Sequence, residues 1–123
     1  MSIVRNPALI IVFVLCFIFN SEAQTKKADS LRAELKKAQL ADTSRVNCCT
    51  GLSNLLLKNR ALEEAKMYAE QALTLSSRIK YARGRLNAVN ALAGYYSETG
   101  KYEMSIALHK EYISECTRLK NQQ

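Results

Sequence analysis

Tryptophan is missing from this 123-residue chain, proline occurs once and glycine four times. With so few helix breakers, long helices meet few obstacles. The remainder is rich in Ala, Leu, Lys, Glu and Gln, all good helix formers, and nothing in it points to a β-sheet. The only histidine is His109, and no acid or nucleophile is spaced to form a catalytic set with it. Helical spacing places it between Ile106 and Ile113, as a residue at the edge of the core. There is no glycine-rich phosphate loop, Gly-x-Ser-x-Gly elbow or acid–base carboxylate pair, so neither a catalytic residue nor a cofactor is expected. Glu63 and Glu64 are adjacent, and a place in the first turn of a helix explains them, because that end of the dipole favours anions. A zinc-type site would need separated cysteine pairs and more histidines, so no metal is expected either.

The net charge of +7 raises the question of a polyanion partner. The basic residues, however, are spread along the chain. Their densest group, Arg78, Lys80, Arg83 and Arg85, straddles a helix end, where cations favour the dipole. Nucleic acid is therefore not expected as a partner.

A long hydrophobic run is also lacking. The longest, Ala8 to Phe19, has twelve residues, short of the roughly 20 that a membrane-spanning helix needs. With Arg5 before it and Ser21-Glu22-Ala23 after it, residues 1–23 have the layout of a signal peptide that is cleaved to leave Gln24 first. The protein is thus expected to be exported, periplasmic or secreted, with a membrane role only if the signal is retained as an anchor. Of four cysteines, Cys16 would leave with the signal, and Cys48, Cys49 and Cys116 would remain in an oxidising compartment. Adjacent helical positions point about 100° apart, which disfavours a Cys48–Cys49 bridge. Cys49 falls on an apolar stripe, which leaves Cys48 and Cys116 as candidates for an intermolecular disulfide.

Residues 24–42 are polar, with a thin stripe of Leu31, Leu35 and Ala38. They predict a short helix capped by Asp29 or Ser30, placed to cover the first structural unit or else to fray. Asp42-Thr43-Ser44 then predicts a side-chain-capped helix to about Lys58, with Val46, Cys49, Leu52, Ser53 and Leu56 on its buried face. A second helix carries Leu62, Ala65, Ala69, Ala72, Ser76 and Ile79. The pattern recurs as Leu86, Val89, Leu92, Ala93 and Tyr96, then Gly100, then Tyr102, Ile106, His109, Ile113, Cys116 and Leu119. Residues 43–80 and 81–120 are therefore two helical hairpins that superimpose without gaps, with Leu52-Ser53 on Leu92-Ala93, Leu56 on Tyr96, Leu62 on Tyr102 and Ala65 on Ser105. Each pair is 40 residues apart.

The run Leu92-Ala93, Tyr96, Gly100-Lys101-Tyr102 and Ser105-Ile106 resembles a tetratricopeptide repeat. The resemblance implies an all-α fold, a short right-handed α-solenoid of stacked hairpins that binds proteins or peptides without catalysis. The usual period is 34 residues, so the extra residues are expected in the second helix and in the link from Ser77 to Gly84. Arg60 stands where Gly100 stands in the second copy, which predicts a looser first turn. Ala69 and Tyr112 are further departures from the pattern. Carrying over the family's concave surface selects Asn47, Thr50, Asn54 and Leu57 in one copy and Asn87, Asn90, Gly94 and Ser97 in the other. Asparagine both donates and accepts, so Asn47, Asn54, Asn87 and Asn90 with Thr50 form a candidate peptide groove. Two repeats are fewer than such arrays usually need, so the last helix is expected to be covered, by a homodimer or a partner. A similar arrangement opens bacterial signalling proteins. The alternative expectation is therefore the sensory segment of a membrane histidine kinase or transcription regulator.

Overall fold

A single 29-residue helix, α1 (Pro7–Leu35), carries both the apolar run and the polar segment behind it. The expected break between signal and capping helix does not exist. The computed structural model describes residues 6–123, so the signal's Arg5 lies outside the described residues. Pro7 starts α1 at a position where its missing N–H costs nothing, and neither Pro nor Gly interrupts the helix after it. Asp29 and Ser30 therefore lie within the helix instead of capping one. Thr25 donates to the Ser21 carbonyl at 2.9 Å, so its hydroxyl bonds back along the helix. The first half of α1 exposes Leu9 to Phe19, while Ala28 near its other end is buried, with Leu31 and Leu35 packed nearby. By length and composition α1 could cross a membrane, a test that N-terminal signal sequences also pass.

The remaining four helices are α2 (Asp42–Lys58), α3 (Leu62–Arg78), α4 (Ala82–Glu98) and α5 (Tyr102–Asn121). No strand occurs among the described residues. The N-cap of α2 is Ala41 and makes no side-chain cap bond, so Asp42 acts within the first turn through its charge. The three turns that follow share one geometry. Arg60, Lys80 and Gly100 each adopt the left-handed conformation, at φ 63°, 56° and 76°. In each turn the next residue's N–H reaches back to close the helix end: Ala61 to Leu56 O, Tyr81 to Ser76 O and Lys101 to Tyr96 O, at 2.8–2.9 Å. The turn at Arg60 is thus no looser than the one at Gly100. The long period is not housed in an extended link either, because α2, α3 and α4 have 17 residues each and the intervening turns are equally short.

Each helix packs on the next, and α2 also packs on α4, so that α2 and α4 form one layer of a helical stack. Small residues make this closeness possible. Ala65, Ala69, Ala72, Ala88 and Ala93 are wholly buried. At Gly84 an added Cβ would stand 2.7 Å from Val46 Cγ1 of α2 and 2.3 Å from the Tyr81 ring, so only glycine fits without a shift. The expected faces of α2 and α4 are buried, Tyr96 only partly, and each stripe is wider than its spacing shows, since Leu55 and Tyr95 are buried too.

Two buried hydroxyls tie the hairpins internally. Ser53 of α2 donates to Ala65 O of α3 at 2.7 Å, and Ser105 of α5 donates to Ala93 O of α4 at 2.9 Å. The positions match at the 40-residue offset, but serine and alanine have exchanged places. The same interhelical bond is kept from opposite sides.

The last helix departs from the expected packing. Ser105, Leu108, Tyr112, Glu115, Cys116 and Leu119 are turned inward to some degree, whereas Tyr102, Ile106, His109 and Ile113 are exposed. At the equivalent positions of α3, Ala69 and Leu73 pack with Ala91 and Leu92 of α4. Nothing follows α5 among the described residues to do the same. His109 is therefore a surface residue.

Candidate functional site

The layer formed by α2 and α4 exposes Asn47, Asn54, Asn87, Asn90 and Ser97. Asn47 accepts a hydrogen bond from the Tyr81 hydroxyl at 3.4 Å. Thr50 does not belong to this surface. It is 6% exposed and donates to Val46 O at 2.9 Å, because it lies one turn beyond Val46 on the stripe facing α4. Leu57 and Gly94 approach each other, with a Cβ built on Gly94 only 3.2 Å from Leu57 Cδ1. They help join the layer. The polar face is thus narrower than the sequence implies, with asparagine as its main hydrogen-bonding group.

The first-turn glutamates of α3 reach outward to both neighbours. Glu64 takes Arg32 of α1 at 2.8 Å, and Glu63 accepts the buried Tyr95 hydroxyl of α4 at 2.8 Å. That bond to a carboxylate is the main reason the Tyr95 phenol is pushed above its ordinary pKa. Lys66 lies 5.5 Å from the centre of the same ring. Spacing alone favours Tyr96 over Tyr95, so this residue was missed. Leu55, the leucine at the matching position, was the available signal.

A second concavity of about 790 Å³ opens between the end of α1, the start of α2 and α3. Its floor is apolar, from Leu35, Cys49, Tyr68 and Leu75. Arg32, Lys36, Arg45 and Arg78 bring four cations to its walls, against Asp42 and Glu70. Arg45 Nη1 donates to Leu35 O at 3.0 Å and Nη2 to Lys37 O at 3.3 Å, which closes the C-terminal end of α1. Sequence reasoning treated Arg78 and Arg85 alike as cations at a helix end. Arg78 does stand in the last turn of α3 and also lines this cleft, whereas Arg85, within α4, crosses to Glu111 and Glu115 of α5.

Cys48, Cys49 and Cys116 are free thiols. Burial holds the Cys49 thiol above its ordinary pKa, and burial together with Glu34 does so for Cys48. Cys48 stands near Glu34, Lys37 and Arg45 at the junction of α1 and α2, and Cys116 beside Tyr112 on α5. Both candidate disulfide residues are half-buried. Among the described residues no group of three or more potential metal ligands occurs.

Compared with protein-family models, curated proteins and solved structures, the chain finds no match.

Proposed function

We propose that this protein is an exported, non-catalytic scaffold of two tetratricopeptide-like hairpins, wound as a short right-handed solenoid, that binds a protein or peptide. The observation supporting it most directly is the equivalence of the hairpins, in which the serine–carbonyl bond recurs at the same offset with its partners exchanged. Stacked hairpins present one helix of each pair side by side, and here that layer exposes Asn54, Asn87 and Asn90. Their amides pair with the backbone of an extended peptide whatever its side chains. The N-terminal apolar helix fits export by a signal that is then removed.

Photo-crosslinking amino acids placed at Asn54 and Asn90, with Ser77 as control, test this in an exporting host. A discrete adduct from Asn54 and Asn90 but not from Ser77 is expected. Equal yield at all three, or none at the asparagines, would overturn the asparagine face as a binding surface.

The uncovered stripe Tyr102, Ile106, His109 and Ile113 favours a second reading, in which the unit is the sensory segment of a membrane histidine kinase or transcription regulator and stacks on further helices there. Light scattering separates the two. A dimer dispersed by Ile106→Lys favours the free-standing scaffold, and a monomer with an intact N-terminal helix favours the sensory segment.

A further inference from the structure

The two hairpins differ most in how they treat a pair of arginines that both retain. In the second copy, Arg85 of α4 pairs with Glu111 and Glu115 of α5, at 3.2 Å for the latter, and Arg118 closes on Glu115 at 2.7 Å. Two arginines and two carboxylates form a continuous chain of ion pairs across the hairpin. Forty positions earlier the arginines are Arg45 and Arg78, but the carboxylates are replaced by Gln71 and Leu75. Where the second copy is neutralised from within, the first has the 790 Å³ cleft. Two of the five N–H donors of Arg45 go to the carbonyls of Leu35, at the end of α1, and Lys37, just beyond it, which leaves three for another acceptor. Arg32 is already engaged by Asp29 and Glu64, whereas Lys36 and Arg78 stand exposed at the rim.

We propose that this cleft binds an acidic, amphipathic peptide segment of a partner protein. Its carboxylates would take the places that Glu111 and Glu115 fill in the second copy, and its apolar side chains would cover Leu35, Tyr68 and Leu75. Charge decides the sign of the ligand: with Arg32 engaged by Asp29 and Glu64, Lys36, Arg45 and Arg78 still outnumber Asp42 and Glu70. Arginine beside a carboxylate gives paired, charge-assisted hydrogen bonds, and the apolar floor strengthens them by excluding water. The floor also separates this ligand from nucleic acid, whose phosphates would leave Leu35, Tyr68 and Leu75 uncovered. The cleft is separate from the asparagine face, and its test does not rest on that surface.

The test uses the full chain recovered from an exporting host and a fluorescein-labelled helical peptide of glutamate and leucine with Glu at i,i+4 spacing, read by anisotropy. A glutamate–glycine peptide and a single-stranded oligonucleotide serve as comparison probes. Gln71→Glu combined with Leu75→Glu rebuilds the internal carboxylate pair and is expected to weaken binding of the glutamate–leucine peptide at least tenfold. Arg78→Gln, an exposed change, is expected to weaken it severalfold with the helical circular dichroism unchanged, and Lys110→Gln, an exposed loss of the same charge on α5, to leave it as it was. Undiminished binding in both cleft variants would overturn the proposal. So would equal affinity for the glutamate–glycine peptide or the oligonucleotide, or no binding of the glutamate–leucine peptide by the unaltered chain.

Discussion

Glu115 shows how one side chain links stability to pH. Its hydrogen bonds from Arg118, with the charges of Arg118 and Arg85, hold its carboxyl below the ordinary value of 4.5. A carboxyl whose folded pKa is depressed contributes stability that is fully present above its unfolded value and is lost as pH falls through the folded one. Urea midpoints are therefore expected to drop as pH is lowered below about 4.5, and Glu115→Gln to make that drop shallower. Equal slopes for both proteins would show that the α4–α5 network does not couple to folding. Residues of this kind were only partly legible in the sequence. The buried face of α2 followed from spacing, but Thr50 fell on the wrong side of the groove. It was selected by carrying over the concave positions of the family the sequence resembles, and α4 covers the stripe it shares with Val46.

At the scale of the elements, Gly100 is a local signal that its turn uses, whereas the side-chain cap read from Asp42-Thr43-Ser44 is not made. The continuity of α1 was not legible, because a capping motif at Asp29 and Ser30 works only where the helix before it stops, and nothing stops it. The turn at Arg60 was misjudged for a related reason. A left-handed residue without glycine costs about 1–2 kcal/mol, and here the reach-back bonds and the packing of the flanking helices offset it. Lys80→Gly is therefore expected to raise stability by about 0.5–1 kcal/mol, and Gly100→Ala to lower it by about 1 kcal/mol, in thermal or urea unfolding. Gly100 has open space where a Cβ would lie, so its loss reports backbone strain alone. The α5 face was the largest error at this scale. Tyr102, Ile106 and Ile113 carry the pattern of a buried stripe, and helical periodicity identifies a face without showing which neighbour covers it.

For the molecule as a whole, the cleft, the exposed α5 stripe and the asparagine face are likenesses and differences between two hairpins, α2–α3 and α4–α5, set 40 residues apart. The 40-residue period was visible in the sequence, while the exchange of serine and alanine between copies was visible only once the interhelical bonds could be compared. Thermal unfolding of Ser53→Ala, Ala65→Ser and the double variant tests that equivalence most directly. Ser53→Ala is expected to lose about 1 kcal/mol by removing a buried hydrogen bond, and Ala65→Ser a similar amount by adding a buried hydroxyl beside the existing one. The double variant should recover to within about 0.5 kcal/mol of the unaltered protein, because it recreates in the first hairpin the arrangement that the second already has. A double variant that loses the full sum of the single effects would contradict the equivalence of the two hairpins.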